Sequence, residues 1–319
     1  MKRFLAALMS LMLLGALASC QKAEEKVPVI GINQYGEHAS LDNCREGFLQ
    51  GLKDAGLEEG ADFTVDYQNA GFDDNINNQI ASTFAAKNVA LMCGIATPSA
   101  VVCYSAAEEK DIPVIFTACN DPEASGLTGG NITGSSDKLP VEAQLQLIRA
   151  MQPEAKTIGI IYTTSESNSV STIADYKAKA GDYGFTIDAI GITAQSEVAQ
   201  ATDTLIQHKV DCFSNLTDNT VVGVLASTLE KTNEAGIPVY GSEVEQVKIG
   251  CVASAGIDYV ELGRMTGQLA AQVLKGEKKA SEIPFITVED YANYINPKAL
   301  AQLGLTVPES LADSVVEAE

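Results

Sequence analysis

The sequence predicts an α/β protein made of two doubly wound parallel-sheet lobes that are joined by a three-strand hinge. Apolar strand-like runs alternate regularly with amphipathic helix-like stretches along most of the chain. Most of the predicted strands are continuously apolar, which is typical of parallel strands that are buried on both faces, whereas 63–67 alternates between apolar and polar residues. The order of strands and helices begins again after Pro140, which predicts a second lobe of the same kind.

The first half shows the repeating strand–helix unit most clearly. Ile76, Ile80 and Phe84 are spaced four residues apart, which places them on one face of a helix. Such units, repeated, form a parallel sheet covered by helices. The predicted strands are 27–32, 63–67, 89–93 and 113–117, and the predicted helices are 41–55, 75–87 and 98–110.

The second half repeats this order and then continues beyond it. The repeat comprises strands 157–162, 185–190, 210–213 and 238–240 with helices 141–151, 169–183, 196–207 and 221–235. A helix over 259–274, a strand over 285–288 and a short helix over 297–303 are surplus. If they return to the first lobe and then to the second, the chain crosses three times between the lobes. We therefore predict a first lobe of 27–139 plus about 256–283 and a second lobe of 140–255 plus about 284–319.

The N-terminus has the layout of a secretory signal over residues 1–19. A charged start precedes an apolar core that is too short to span a bilayer, and small residues lead to Cys20. The stretch Leu17-Ala18-Ser19-Cys20 resembles a bacterial lipobox, which implies lipidation of Cys20 and a tether over 20–26. The alternative is an ordinary secretory signal with an incidental cysteine. The sequence predicts an exported protein, lipid-anchored on the extracytoplasmic or periplasmic face.

Composition and missing motifs exclude several functions. The formal net charge of −21 disfavours nucleic-acid binding, because it repels phosphates. The sequence has no phosphate-binding loop, nucleophile elbow, dinucleotide fingerprint or paired-histidine zinc motif. We therefore expect no enzymatic activity, no cofactor and no metal site. No C-x-x-C pair occurs, and we expect mostly free thiols at Cys44, Cys93, Cys103, Cys119, Cys212 and Cys251.

Ordered motifs along the whole mature chain resemble the ABC-transporter substrate-binding lipoproteins that include tryptophan- and tyrosine-binding members. The resemblance implies the type I periplasmic-binding fold, a small ligand in the cleft, and a permease and ATPase encoded separately. The sequence departs from the family pattern at Asn33–Glu37 and Ala118–Asn120, which lie near the predicted cleft. The resemblance therefore leaves the identity of the ligand open. The matching stretches include Gln34-x-x-x-His38-x-x-Leu41-Asp42, Tyr67-Gln68-Asn69-Ala70, Ala96-Thr97-Pro98, Asp121-Pro122, Asn131-Ile132-Thr133-Gly134, Ser165-Glu166-x-Asn168-Ser169, Asp218-Asn219-Thr220 and Glu261-Leu262-Gly263-Arg264.

Candidate ligand-binding residues follow the predicted strand ends, where doubly wound sheets bind ligands. A carboxylate such as Asp218 suits an ammonium group, and helix N-termini near Pro98 and Asn168 suit a carboxylate. Tyr35, Tyr104 or Tyr162 could cover an aromatic or apolar side chain of the ligand. The candidates are Gln34, Tyr35, His38, Thr97 and Asp121 in the first lobe, and Ser165, Glu166, Asn168, Asp218, Asn219 and Glu243 in the second.

Structural alternatives exist for several of these residues. Thr97-Pro98 and Asp121-Pro122 are also ordinary helix-start or turn signals, and Asp218-Asn219 could be a plain helix cap. His38 could orient its loop by hydrogen bonding instead of contacting the ligand.

The leading hypothesis is a monomeric receptor of an importer that binds a small polar solute. We expect this solute to be an amino acid, and an aromatic amino acid is one option. The alternatives are a binding lobe for a separate sensor protein and a different solute such as a nucleoside.

Overall fold

The computed structural model describes residues 27–288 and 291–318. The predicted signal, Cys20 and the tether lie outside these residues. Within the described part of the chain, no helix combines the length and the apolar character needed to cross a membrane.

Thirteen strands and eleven α-helices form the described chain. The strands are β1 (Val29–Gln34), β2 (Thr64–Asn69), β3 (Leu91–Ile95), β4 (Val114–Thr117), β5 (Ile132–Ser136), β6 (Thr157–Thr163), β7 (Thr186–Ile192), β8 (Cys212–Ser214), β9 (Val239–Tyr240), β10 (Ala253–Gly256), β11 (Ile286–Thr287), β12 (Ala292–Ile295) and β13 (Val315–Glu317). The α-helices are α1 (Ala39–Asp54), α2 (Asp74–Lys87), α3 (Thr97–Ala107), α4 (Val141–Met151), α5 (Ser167–Lys179), α6 (Val198–Gln207), α7 (Asn219–Val222), α8 (Leu225–Ala235), α9 (Val244–Ile249), α10 (Tyr259–Leu274) and α11 (Pro297–Gln302). Short 3₁₀ turns occur at Glu108–Lys110, Ala180–Tyr183, Gln195–Glu197, Ala280–Glu282 and Glu309–Leu311.

The strands form two sheets, which confirms the predicted pair of doubly wound lobes. The first sheet has the order β11-β5-β4-β3-β1-β2 and is parallel throughout. The second has the order β13-β12-β10-β9-β8-β6-β7, in which only the β10–β12 pair is antiparallel. In both sheets the strand order reverses around the first strand of the lobe, and ligands of such sheets bind at that point.

The chain passes three times between the lobes. The first passage leads from β5 to α4, the second from β10 to α10, and the third from β11 to β12. The third passage corrects the predicted boundary near 283, because Ile286 and Thr287 pair with Ser135 and Ser136 of the first sheet. Periodicity identified this strand but could not assign it to a sheet edge.

Helix α10 is fixed to the first lobe by close backbone contact with α1. A Cβ atom added to Gly47 would lie 2.0 Å from the carbonyl oxygen of Val260, and one added to Gly263 would lie 2.0 Å from that of Cys44. Only glycine permits this approach, so the chain that returns from the second lobe docks at one defined place.

Cys44 and the other five cysteines of the described chain are buried free thiols.

Candidate functional site

The strand ends of both lobes face one narrow interlobe cavity with a volume of about 10 Å³. A cavity of this volume holds about one water molecule, so the two lobes lie nearly in contact, and a solute would enter only when they separate. The lining residues are His38, Ser40, Leu41 and Ala118 from the first lobe, Thr217, Asn219, Val222, Glu243 and Gln246 from the second, and Asp137 and Tyr259 beside the lobe crossings.

Three of the predicted site residues line this cavity: His38, Asn219 and Glu243. His38 Nε2 lies 3.4 Å from Asn219 Oδ1, so the two predicted residues meet across the cleft. Burial lowers the pKa of His38 to about 4, and the imidazole is therefore neutral at physiological pH.

The other first-lobe candidates support the loops around the cavity. The Gln34 side chain donates to Gly36 O at 2.7 Å, and the Tyr35 hydroxyl donates to Asp74 Oδ1 at 2.9 Å. The Thr97 hydroxyl contacts Cys119 Sγ at 3.4 Å. These three side chains are buried but do not line the cavity.

The aromatic covers that the sequence suggested lie elsewhere. Tyr35, Tyr104 and Tyr162 are not among the residues that line the cavity, and the Tyr104 hydroxyl donates to Gly129 O at 3.0 Å. The only tyrosine in the described lining is Tyr259, at the start of α10.

Asp218 stabilises the loops of the second lobe by hydrogen bonding. Its carboxylate accepts hydrogen bonds from Thr163 N at 2.6 Å, Thr163 Oγ1 at 2.8 Å, Ser169 Oγ at 2.7 Å and Val221 N at 2.9 Å. Since the last of these bonds caps α7, the helix-cap alternative describes this residue. Four donors from its own lobe already occupy its two oxygens, which argues against the expected pairing with a ligand ammonium.

Glu166 plays a similar part beside Asp218. Its oxygens accept from Asn219 N at 3.0 Å and Nδ2 at 2.7 Å, and from Thr220 N at 2.9 Å and Oγ1 at 2.8 Å. Asn168 Nδ2 donates to the same carboxylate at 3.2 Å and to Thr217 O at 3.0 Å. Burial and the nearby Asp218 raise the pKa of Glu166 to about 7.

Two carboxylates are directed to the cavity, and sequence reasoning missed one of them. Asp137 Oδ2 accepts from the Tyr259 hydroxyl, whereas Oδ1 has no partner among the described residues. Glu243 Oε1 accepts from Ser40 Oγ at 2.8 Å, and Oε2 accepts from Glu245 N at 2.7 Å. No lysine or arginine belongs to the lining that residues 27–288 and 291–318 provide. Ionising either carboxylate therefore creates a buried negative charge that a ligand cation would neutralise.

Contacts at the cleft rim hold the lobes together. Ser171 Oγ donates to Asp121 Oδ2 at 2.8 Å, and Asn120 Nδ2 donates to Thr172 Oγ1 at 3.1 Å. The predicted residue Asp121 thus joins the lobes at the rim, and Ser165 is exposed on the loop after β6. With the Ser40–Glu243 bond, these contacts define a closed arrangement.

Backbone strain lies next to the cavity in the first lobe. Ala96 and Ala118 follow β3 and β4 with φ values of 77° and 53°. Non-glycine residues in this region cost about 1–3 kcal/mol each, and such residues cluster at functional sites. Ala118 lines the cavity itself, and Ala96 precedes the first residue of α3.

The buried carboxylates predict that the protein loses stability as pH rises. Burial raises the pKa of Asp137 to about 6 and that of Glu243 to about 7, above their ordinary values of 3.8 and 4.5. Between the unfolded and folded values, the folded state binds more protons, so its stabilisation is complete below about pH 4 and is lost by about pH 7. Urea denaturation across this window should show a falling free energy of unfolding, with a smaller fall in Glu243→Gln. A rising free energy would contradict the assignment.

Comparison with known proteins agrees with this architecture. Residues 29–318 match the sequence model of the family described as ABC transporter substrate binding protein. The chain belongs to this family. The predicted family, the predicted fold and the role as a substrate-binding protein of ABC transport are thereby confirmed, and the family is one of binding proteins.

Two relatives show what this substrate-binding protein resembles. A Clostridioides difficile (strain R20291) protein named "Tyrosine-binding protein" is 40% identical over 285 residues, which are 86% of this chain and 81% of the relative. An ABC domain from Streptococcus pneumonia, solved in complex with L-Trp, is 32% identical with a TM-score of 0.87, covering 91% of this chain and 99% of that one.

A third relative differs in overall shape. The ligand-free, open structure of an adhesive substrate-binding protein from Clostridium difficile is 36% identical, and the match covers 92% of this chain and 100% of that one. Its TM-score is nevertheless only 0.68. A lower structural similarity at higher identity is expected when lobes of the same fold differ in opening, and this agrees with the closed arrangement of the substrate-binding protein described above.

Proposed function

We propose that this chain is the extracytoplasmic receptor of an ABC importer and that it captures an aromatic amino acid between its lobes. The observation that carries the proposal is the closed interlobe cavity with two buried carboxylates and no cationic side chain in its described lining. The relatives named for tyrosine and solved with L-Trp support the ligand class.

The ligand ammonium group would lie between Asp137 and Glu243. Asp137 Oδ1 lacks a partner among the described residues, and a buried ionised carboxylate requires a cation or several hydrogen bonds. An ammonium group has three donors, which is enough to reach both carboxylates. Asp137 would be the principal partner, because Glu243 already accepts from Ser40 and from the Glu245 amide.

The ligand carboxylate would face the N-terminus of α3. The first amide groups of a helix have no intrahelical partner and attract negative charge. Helix α3 begins at Thr97, whose hydroxyl contacts Cys119, the neighbour of the cavity residue Ala118. The side chain of the ligand would pack against Leu41, Val222 and the Tyr259 ring, which together with Ala118 supply the apolar part of the lining.

Binding of L-tryptophan tests the proposal directly. The chain contains no tryptophan, so the fluorescence of an added indole can be followed without protein background. We expect a saturable change in this fluorescence and its reversal by L-tyrosine, because both ligands would use the same cavity. Glycine, myo-inositol and a nucleoside serve as controls that should not displace the indole. A protein that binds no amino acid but is stabilised by a nucleoside would overturn the proposed ligand class.

We further propose that the mature protein is a monomer anchored to the membrane by a lipid on Cys20 and that it delivers its ligand to a separately encoded permease and ATPase. The lipobox-like stretch before Cys20 and the family membership support this arrangement. Metabolic labelling with a radioactive fatty acid tests the anchor: the wild-type protein should carry label, and Cys20→Ser should not.

A further inference from the structure

Phe72 has a backbone conformation that a bulky residue rarely adopts. It follows β2 with φ 63°, directly after Gly71 at φ 60°. The left-handed region is unfavourable for large side chains, so this position contains strain that glycine would avoid. The Phe72 amide donates to Tyr35 O at 2.9 Å, and Asp73 caps the following helix α2. The turn is thus fixed, and it directs the Phe72 ring.

The Phe72 ring fills a space that two glycines leave open, one in each lobe. A Cβ atom on Gly36 would lie 1.9 Å from ring carbon Cε1, and one on Gly223 would lie 2.9 Å from ring carbon Cζ. The ring also meets Tyr35 edge-on at 5.9 Å and lies parallel to the His38 ring at 6.5 Å between centroids. A first-lobe ring therefore lies beside the backbone of the second lobe and leaves no room for a side chain at Gly223.

The second-lobe surface that receives the ring belongs to the cavity wall. Gly223 ends α7, the short helix that contains the lining residues Asn219 and Val222. His38, which is stacked on Phe72, reaches Asn219 across the cleft. Phe72 itself is not among the lining residues, so it would act on the ligand through lobe closure.

We propose that Phe72 is a latch, a positioning residue that holds α7 against the first lobe and slows ligand release. The contact with Gly223 exists only while the lobes are together, so the apolar area that it buries stabilises the closed state selectively. This inference rests on the proposed capture of a ligand between the lobes.

Stopped-flow fluorescence with L-tryptophan tests the latch. In Phe72→Ala the dissociation rate should rise about tenfold, while the association rate changes less than about twofold, since the ring acts after the encounter. Ile76→Ala is the matched control, because this exposed side chain lies on α2 just after the same turn. Equal dissociation rates in Phe72→Ala and the wild type would overturn the proposal.

A second variant separates the latch from a merely structural role. Phe72→Gly removes the ring and its packing against the first-lobe core but relieves the left-handed strain that Phe72→Ala retains. The ligand-free Gly variant should therefore unfold at a higher temperature than Phe72→Ala, while both release the ligand faster than the wild type. A lowered melting temperature with unchanged release would indicate a structural role instead.

The latch can be judged even if the proposed ligand class fails. If the wild type binds no amino acid, amide hydrogen exchange at residues 219–223 becomes the readout. Faster exchange there in Phe72→Ala than in Ile76→Ala supports the latch, and equal exchange overturns it. Failure of the wild type to bind tryptophan counts only against the proposed function.

Discussion

Replacing Asp137 with Asn is expected to weaken aromatic amino-acid binding at least about a hundredfold, because removing one partner of a buried charge pair costs about 3–5 kcal/mol. The substitution keeps the size of the side chain and leaves an oxygen that can accept from the Tyr259 hydroxyl. It removes the negative charge and can direct an amide donor at the ligand ammonium. Isothermal titration calorimetry or tryptophan fluorescence would measure the loss.

Two controls make the Asp137 result specific. Glu37→Gln removes one negative charge from the exposed part of the loop after β1 and should leave affinity nearly unchanged, because exposed charges are screened. The melting temperature of ligand-free Asp137→Asn should be equal to or above that of the wild type, since the variant no longer charges a buried carboxylate. Unchanged affinity in a folded Asp137→Asn protein would refute the proposed ammonium site.

Replacing Asp218 with Ala is expected to destabilise the second lobe by about 4 kcal/mol or more, because four buried donors lose their acceptor at a cost of about 1–3 kcal/mol each. The amides of Thr163 and Val221 and the hydroxyls of Thr163 and Ser169 all lose their partner. Without these hydrogen bonds, β6, α5 and α7 are held together less firmly. The variant should therefore show a lower melting temperature and a lower midpoint of urea unfolding.

The surface carboxylate Asp203 provides the comparison for Asp218. It pairs with Lys231 at 2.8 Å on the outside of the second lobe, and Asp203→Ala should cost no more than about 1 kcal/mol. If Asp218→Ala abolishes ligand binding while leaving stability equal to that of Asp203→Ala, Asp218 contacts the ligand and its assignment as a residue that stabilises the loops is wrong.

The two-lobed fold could be predicted because most of its strands are continuously apolar and regularly spaced. β5 was missed, since Ile132–Ser136 is largely polar although every residue in it is buried. Two of its three hydroxyl groups have partners inside the lobe: Ser135 contacts Thr117 and Thr266, and Ser136 donates to Asn120 O. Polarity in such a strand is compensated by partners distant in the sequence, which periodicity cannot reveal.

The same limit explains which site residues were found. The predicted strand ends located loops that border the cavity, and His38, Asn219 and Glu243 line it. Asp137 was missed because it follows the unrecognised strand β5. Asp218 was overvalued because its four donors come from three separate segments, and only the folded chain shows that its oxygens are occupied.

A crystal structure of the protein grown with L-tyrosine is the most direct measurement of the central claim. We predict a ligand buried between the lobes, with its nitrogen within hydrogen-bonding distance of Asp137 Oδ1. A ligand bound outside the interlobe cavity, or one whose carboxylate faces Asp137, would contradict the account.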